Sequence, residues 1–312
     1  MTGANLLFFI FVIIFLFSQL VLGLLNGILG GGLIENNMYG MLFLNEYIFI
    51  LLPVLIFSLV KRLDFKAVFR FNRMGVLPAG LIILSAFPAY FVASMLNAFV
   101  VYLLQFIGDV PANTIPVPQS TGELFLGLLM VAFTPAVCEE MLNRGILLKA
   151  YETRGSMKAV VITAIFFGIF HLDITNLLGP IFLGLLIGYY AVRTHSIFAA
   201  MLAHFMNNAI AEVLSFFFQN GTPEPTKITI SLEELGGSLL YGVGGLIFLA
   251  VLLRVFKRVT EERAVIKPPI ASVGKDIVSI VSHWPVLAVL VLYILMAVLY
   301  LLYIIAARYQ AF

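Results

Sequence analysis

Long apolar blocks separated by short polar breaks repeat along almost the whole chain, from about residue 5 to about residue 307. Nine blocks stand out: about 5 to 26, 41 to 60, 76 to 106, 123 to 148, 158 to 173, 177 to 193, 196 to 218, 237 to 254 and 284 to 307. Most are close to the roughly 20 residues that carry a helix across about 30 Å of hydrocarbon, and none shows the ten-residue alternation of a barrel strand. The pattern predicts an all-α fold, a polytopic transmembrane helix bundle of about eight core helices plus one appended C-terminal helix. It divides into a transmembrane core over 1–256, a charged linker over 257–283 and an additional helix over 284–312. The Pro- and Gly-bearing stretches 109–122 and 219–235 read as external loops. No internal repeat is visible.

Composition agrees, with 62% hydrophobic and only 11% charged residues in 312, where a soluble domain has about a quarter charged. If the blocks alternate across the membrane, the basic residues sort by side. All of the 18 Lys and Arg except Lys227, Arg308 and the intramembrane Arg144 then fall on one face, which the positive-inside bias makes cytoplasmic, with the N-terminus. The net charge of +2 forms no basic face, so nucleic acid is not an expected partner. The first block lacks a basic leader and a small-residue cleavage site and is expected to stay as a mature helix. Cys138 is the single cysteine, which excludes an intrachain disulfide. Residues 61–73 intersperse basic and aromatic side chains and suit an interfacial helix on anionic headgroups.

Against this background, six polar side chains sit where hydrocarbon is expected: Glu139, Glu140 and Arg144 in one block, His171 in another, His204 and Asn208 in a third. Charges at the bilayer centre are costly and mark polar interiors. Glu140 and Arg144 are four apart, on one helix face in the favourable order, and Gly145 beside them leaves room for another backbone. Glu139 is rotated by about 100° and is left free for proton chemistry. His204, Asn208 and Glu212 form one stripe, and Phe167 stands one turn before His171. From helix rise, His204 lies roughly 12 Å, Glu139 roughly 15 Å and His171 roughly 20 Å from the cytoplasmic ends of their helices. Any one of these residues alone reads as packing or interhelical glue, and their convergence at similar depth points to a working site. Glu46 and Glu212 are candidates for lining the same cavity. Asp173 reads as a solvated helix end, and His195 and His283 as interface anchors.

Three ordered motifs carry a resemblance: Glu-Glu-x-x-x-Arg at 139–144, Phe-x-x-x-His at 167–171 and His-x-x-x-Asn at 204–208. Over about residues 120–220 the chain resembles the CAAX-protease and bacteriocin-processing (CPBP, or Abi) family of intramembrane proteases, which includes the type II CAAX prenyl endopeptidases. The resemblance implies that Glu139 is the general base and His171 holds the attacking water. His204 and Asn208 would stabilise the oxyanion, while Glu140 and Arg144 organise the site. No cofactor is required in the favoured glutamate mechanism. Zinc is the alternative, with Glu139, His171 and His204 as its candidate ligands, although the His-Glu-x-x-His helix motif is absent. The implied partners are the lipid bilayer and a membrane-embedded or lipidated peptide or protein, such as a prenyl peptide, a pheromone or a bacteriocin leader. The implied location is a bacterial plasma membrane. Two other classes compete: a catalytically silent scaffold or immunity protein of the same fold, and a proton-coupled transporter, for which Pro135 and Gly168 are the nearest helix breaks. Oligomeric state is not set by the sequence.

Overall fold

A computed structural model describes residues 1–29, 31, 37–112, 117–219 and 226–310. Its helices are α1 (Thr2–Ile28), α2 (Met38–Val60), α3 (Phe65–Phe69), α4 (Val76–Leu104), α5 (Thr121–Arg154), α6 (Ser156–Phe170), α7 (Leu178–Thr194), α8 (Ile197–Gln219), α9 (Leu232–Val259), α10 (Val273–Val281) and α11 (Trp284–Gln310). The only strands among the described residues are β1 (Val110–Pro111) and β2 (Lys227–Ile228), an antiparallel pair with Val110 opposite Ile228. The fold is an all-α polytopic bundle, and the chain is an integral membrane protein.

Seven of the described helices are long and apolar enough to cross a membrane. Of the other four, α3 and α10 are short, with 5 and 9 residues, while α6 has 15 and α7 has 17, about 22 and 26 Å at 1.5 Å per residue. They run shorter than the expected 158–173 and comparable to the expected 177–193. The two pack on each other and against α4, α5 and α8, so their length is matched to protein neighbours rather than to lipid. Small residues make that contact possible. A Cβ on Gly184 would lie 2.9 Å from Ala164 Cα, and one on Gly188 would lie 3.1 Å from Val160, the close approach by which membrane helices associate. Stacked rings join α1 to α6, Phe8 on Phe166 at 4.9 Å and Phe11 on Phe170 at 4.6 Å.

Helix α5 is not regular. It winds as a π-helix over Leu128–Phe133 and again over Met141–Leu147, and α2 does so over Leu44–Leu51. Pro135 and Pro53 follow two of these turns. Proline has no N–H to donate and its ring crowds the carbonyl four residues back, so the preceding turn widens. Thr134 Oγ1 donates to Leu129 O at 2.9 Å, satisfying one carbonyl of the widened turn.

Two sequence expectations change, and the contacts of a third stretch are added to them. Within 61–73 only Phe65–Phe69 is helical, started by Asp64, whose carboxylate accepts from Ala67 N at 3.1 Å. Phe69 and Arg70 are buried, and Arg70 pairs with Glu152 at 2.5 Å, so this part of the segment faces protein rather than headgroups. Gly145 receives the Phe69 ring instead of a backbone. The stretch after α9 is fastened to the bundle: Arg154 and Lys158 both reach Asp276 at 2.5 Å, Arg154 also donates to Ser279 at 2.6 Å, and Lys267 N donates to Ser156 Oγ at 3.0 Å. Close by, Asn5 accepts from Tyr151 Oη at 2.7 Å and contacts His283 at 3.2 Å, while α11 packs on α1.

The Lys158 hydrogen bond first, then that of Arg154, holds the Asp276 carboxyl below its ordinary value. A lowered folded-state value contributes stability above the ordinary aspartate range, and that contribution disappears as pH falls through the lowered value. Asp276→Asn should therefore lower the thermal unfolding temperature at neutral pH, and its difference from wild type should shrink only in acid below the ordinary aspartate range.

Candidate active site

The ring of Phe167 is the point on which three motifs meet. The Arg144 guanidinium lies over it at 4.7 Å, and the imidazoles of His171 and His204 meet it edge-on at 5.2 and 5.6 Å. Phe167 sits near the end of α6, one turn before the helix stops at Phe170, and Leu172 turns the chain with φ 51°.

Arg144 is buried, and its donors are shared among neighbours. Nη1 donates to Glu140 Oε1 and Nη2 to the Gly184 carbonyl of α7, both at 3.0 Å. Glu140 Oε1 also takes His204 Nδ1 at 2.8 Å. That oxygen already accepts from Arg144, so the histidine donates and its Nδ1 carries hydrogen. His171 is held differently. Its Nδ1 donates to the backbone carbonyl of Phe167 at 2.7 Å, an acceptor with no proton of its own. Both imidazoles are thus pinned through Nδ1, and neither Nε2 has a hydrogen-bond partner among the described residues.

Among the described residues the Glu139 side chain makes no hydrogen bond or ion pair with this network. Its carboxylate is buried, with Oε2 unpartnered, while its backbone carbonyl accepts from Asn143 Nδ2 at 3.0 Å. It lies within Coulombic reach of Glu46, His204, Glu140 and Arg144. Among the described residues no hydrogen bond or ion pair joins it to His171. Glu46, on the π-turn of α2 that packs against the 134–140 segment, is also buried with Oε2 unpartnered. Cys138 is buried beside these two carboxylates. Glu212 lies one turn past Asn208, buried against Gly127 of α5, and Asp173 accepts from Thr175 N and Oγ1 in the turn after α6.

Asn208 has a partner that the motif spacing does not show. Its Nδ2 donates to Val131 O at 3.0 Å, the carbonyl four residues before Pro135, where the missing N–H leaves an acceptor free. Asn207 Nδ2 donates to Asn208 Oδ1 at 3.1 Å. The amide is therefore fixed in orientation, with one N–H left over. Pro135 is the sequence signal for this contact. The Gly184 carbonyl that receives Arg144 has no comparable signal.

Zinc would need three of these side chains on one point. Among the described residues no three His, Cys, Asp or Glu side chains are grouped to hold a metal ion. Glu139, His171 and His204 as arranged here do not form a three-ligand set.

Residues 121–210 match the family model described as Rce1-like, type II CAAX prenyl endopeptidase. These residues resemble an Rce1-like domain. It runs from the start of α5 into α8 and contains Glu139, Glu140, Arg144, His171, His204 and Asn208. No curated protein and no solved structure matches the chain. The model is that of an endopeptidase, and in this chain the matched residues include the part of the bundle built around Phe167.

Removing Arg144 from the Rce1-like domain leaves the Glu140 carboxylate uncompensated inside the bundle, a change of about 3 to 5 kcal/mol for a buried pair. Arg144→Ala should lower the thermal unfolding temperature of the detergent-solubilised protein substantially. Arg144→Lys should recover only part of the loss, because one ammonium does not reproduce a planar fork reaching Glu140 and Gly184 at once.

Proposed function

We propose that this chain is an intramembrane endopeptidase of the glutamate type, cutting a membrane-embedded or lipidated peptide. The observation that carries the reading is the pair of imidazoles oriented through Nδ1 around Phe167, next to a buried carboxylate with an unpartnered oxygen.

In the proposed reaction His171, its hydrogen on Nδ1, offers the bare Nε2 lone pair to a water and orients it. Glu139 removes a proton from that water as its oxygen attacks the scissile carbonyl carbon. The carbonyl π electrons move to oxygen, and the oxyanion accepts hydrogen bonds from His204 Nε2–H and from the remaining N–H of Asn208. Glu140 balances the imidazolium of His204 and, with Arg144, keeps its ring in place. Glu139 then passes its proton to the departing amine nitrogen as the C–N bond breaks, giving an acid and an amine. No step passes through a metal.

We further infer that the N-terminus is cytoplasmic and that the membrane is a bacterial plasma membrane. The basic-residue asymmetry supports the orientation. It holds whether α6 and α7 each cross the bilayer or form a hairpin, because removing two consecutive crossings leaves the sides of all other loops unchanged. The substrate class is a prenyl peptide, pheromone or bacteriocin leader, and α11 with the 257–283 stretch lies outside the Rce1-like domain.

Comparison of membrane peptides from cells carrying wild-type or Glu139→Gln protein should show an uncut precursor accumulating with the variant. On a substrate found in this way, Glu139→Gln should lower the rate by about 10² to 10⁴ and His204→Ala by about 10² to 10³, with a strong chelator having no effect. Full cleavage by Glu139→Gln would end the mechanism. Loss of activity in chelator, restored by zinc alone, would replace it with a metalloprotease.

A further inference from the structure

Helix α10 presents three faces. Asp276 and Ile280, one turn apart, are buried against the bundle. At about 100° per residue, Val273, Ile277, Val281 and Val278 follow in order around the helix, forming an arc roughly 60° to 200° from Asp276. All four are exposed, Val278 by 68% and Val273 by 64%. Lys275, Ser279 and Ser282 occupy the remaining side. A helix in water alone has no use for the middle face.

Its place in the chain says what covers that face. Only Ser282 and His283 separate α10 from α11, an apolar helix of 27 residues that begins at Trp284, and Trp284 is 58% exposed. An exposed tryptophan at the start of such a helix sits at headgroup level. The apolar arc therefore lies beside the membrane boundary, and Lys275 flanks it where anionic headgroups are found. Asp276, on the protein side, is fastened to Arg154 and Lys158. These two flank Gly155, whose φ of +113° lets α5 turn into α6 and whose missing side chain leaves room for the Pro269 backbone, 2.8 Å from where a Cβ would stand.

We propose that α10 is a membrane-surface helix, laying its valine and isoleucine arc on the boundary between headgroups and acyl chains, and that Asp276 tethers it to the joint between α5 and α6. The lipid surface is thereby connected to the two helices that carry Glu139 and His171, through a segment outside the Rce1-like domain. The connection stands whether or not the chain is a protease.

Full-length protein in liposomes, with Trp284→Phe and a reporter tryptophan at one position of α10, tests it without any substrate. With Val278→Trp the emission should shift to the blue, be quenched most by lipids brominated near the headgroup end of the acyl chain, and be quenched little by aqueous iodide. Val273→Trp should behave in the same way, which protects the test if one variant does not fold. Lys275→Trp should show the reverse. Iodide quenching with no bromolipid effect at 278 and 273 would put the arc in water. Protection from both quenchers would put it against protein, and either result overturns the proposal. Asp276→Asn should raise amide exchange over residues 154–158 several-fold while the bromolipid quenching at 278 persists. Unchanged exchange there would remove the tether.

Discussion

The buried Arg144 guanidinium draws its contacts from several helices, and the Rce1-like region is arranged around it. Arg144 spends one nitrogen on Glu140 of its own helix, another on the Gly184 carbonyl of α7, and its face on the Phe167 ring of α6. Glu140 extends the arrangement to α8 by accepting His204 on the same oxygen. Four helices thus meet on one buried ion pair, whose charges are costly in low dielectric unless paired. The small residues of α7 follow from this, since a carbonyl within reach of Arg144 requires α7 to lie close against its neighbours.

The backbone of α5 is adapted to the same end. Its widened turns lie on either side of the segment bearing Glu139 and Glu140, a frequent location for π-turns at working sites. The first turn also leaves carbonyls short of donors, and these are taken up by Thr134 and by Asn208 from another helix. Asn208, proposed above to stabilise charge, is therefore oriented by a vacancy that a proline creates one helix away. Local irregularity and the geometry of the site are the same feature here.

Much of this is legible in the sequence because membrane insertion writes helices as apolar blocks and makes intramembrane charge conspicuous. Glu140 and Arg144 are readable from their spacing, and so is the union of the three motifs. The choice of His204's partner is not, because a four-residue spacing fixes a face and leaves the neighbouring helix open. The docking of α10 is less legible still. In the sequence Arg154, Lys158 and Asp276 are ordinary loop charges, and only the turn at Gly155 brings them together. Residues 61–73 mislead for a related reason: Arg70 looks like a headgroup anchor until Glu152 is placed beside it.

The two imidazoles differ in what they need before they are oriented. His171 is pinned by a carbonyl one turn back on its own chain, so its ring is set as soon as α6 has formed. His204 is pinned by a carboxylate on α5, and its ring is set only when α5 and α8 have packed. A chain newly inserted in the bilayer holds the first but not the second. Under the proposed roles, cutting needs both rings in place, so it needs α5 and α8 packed together as well as inserted.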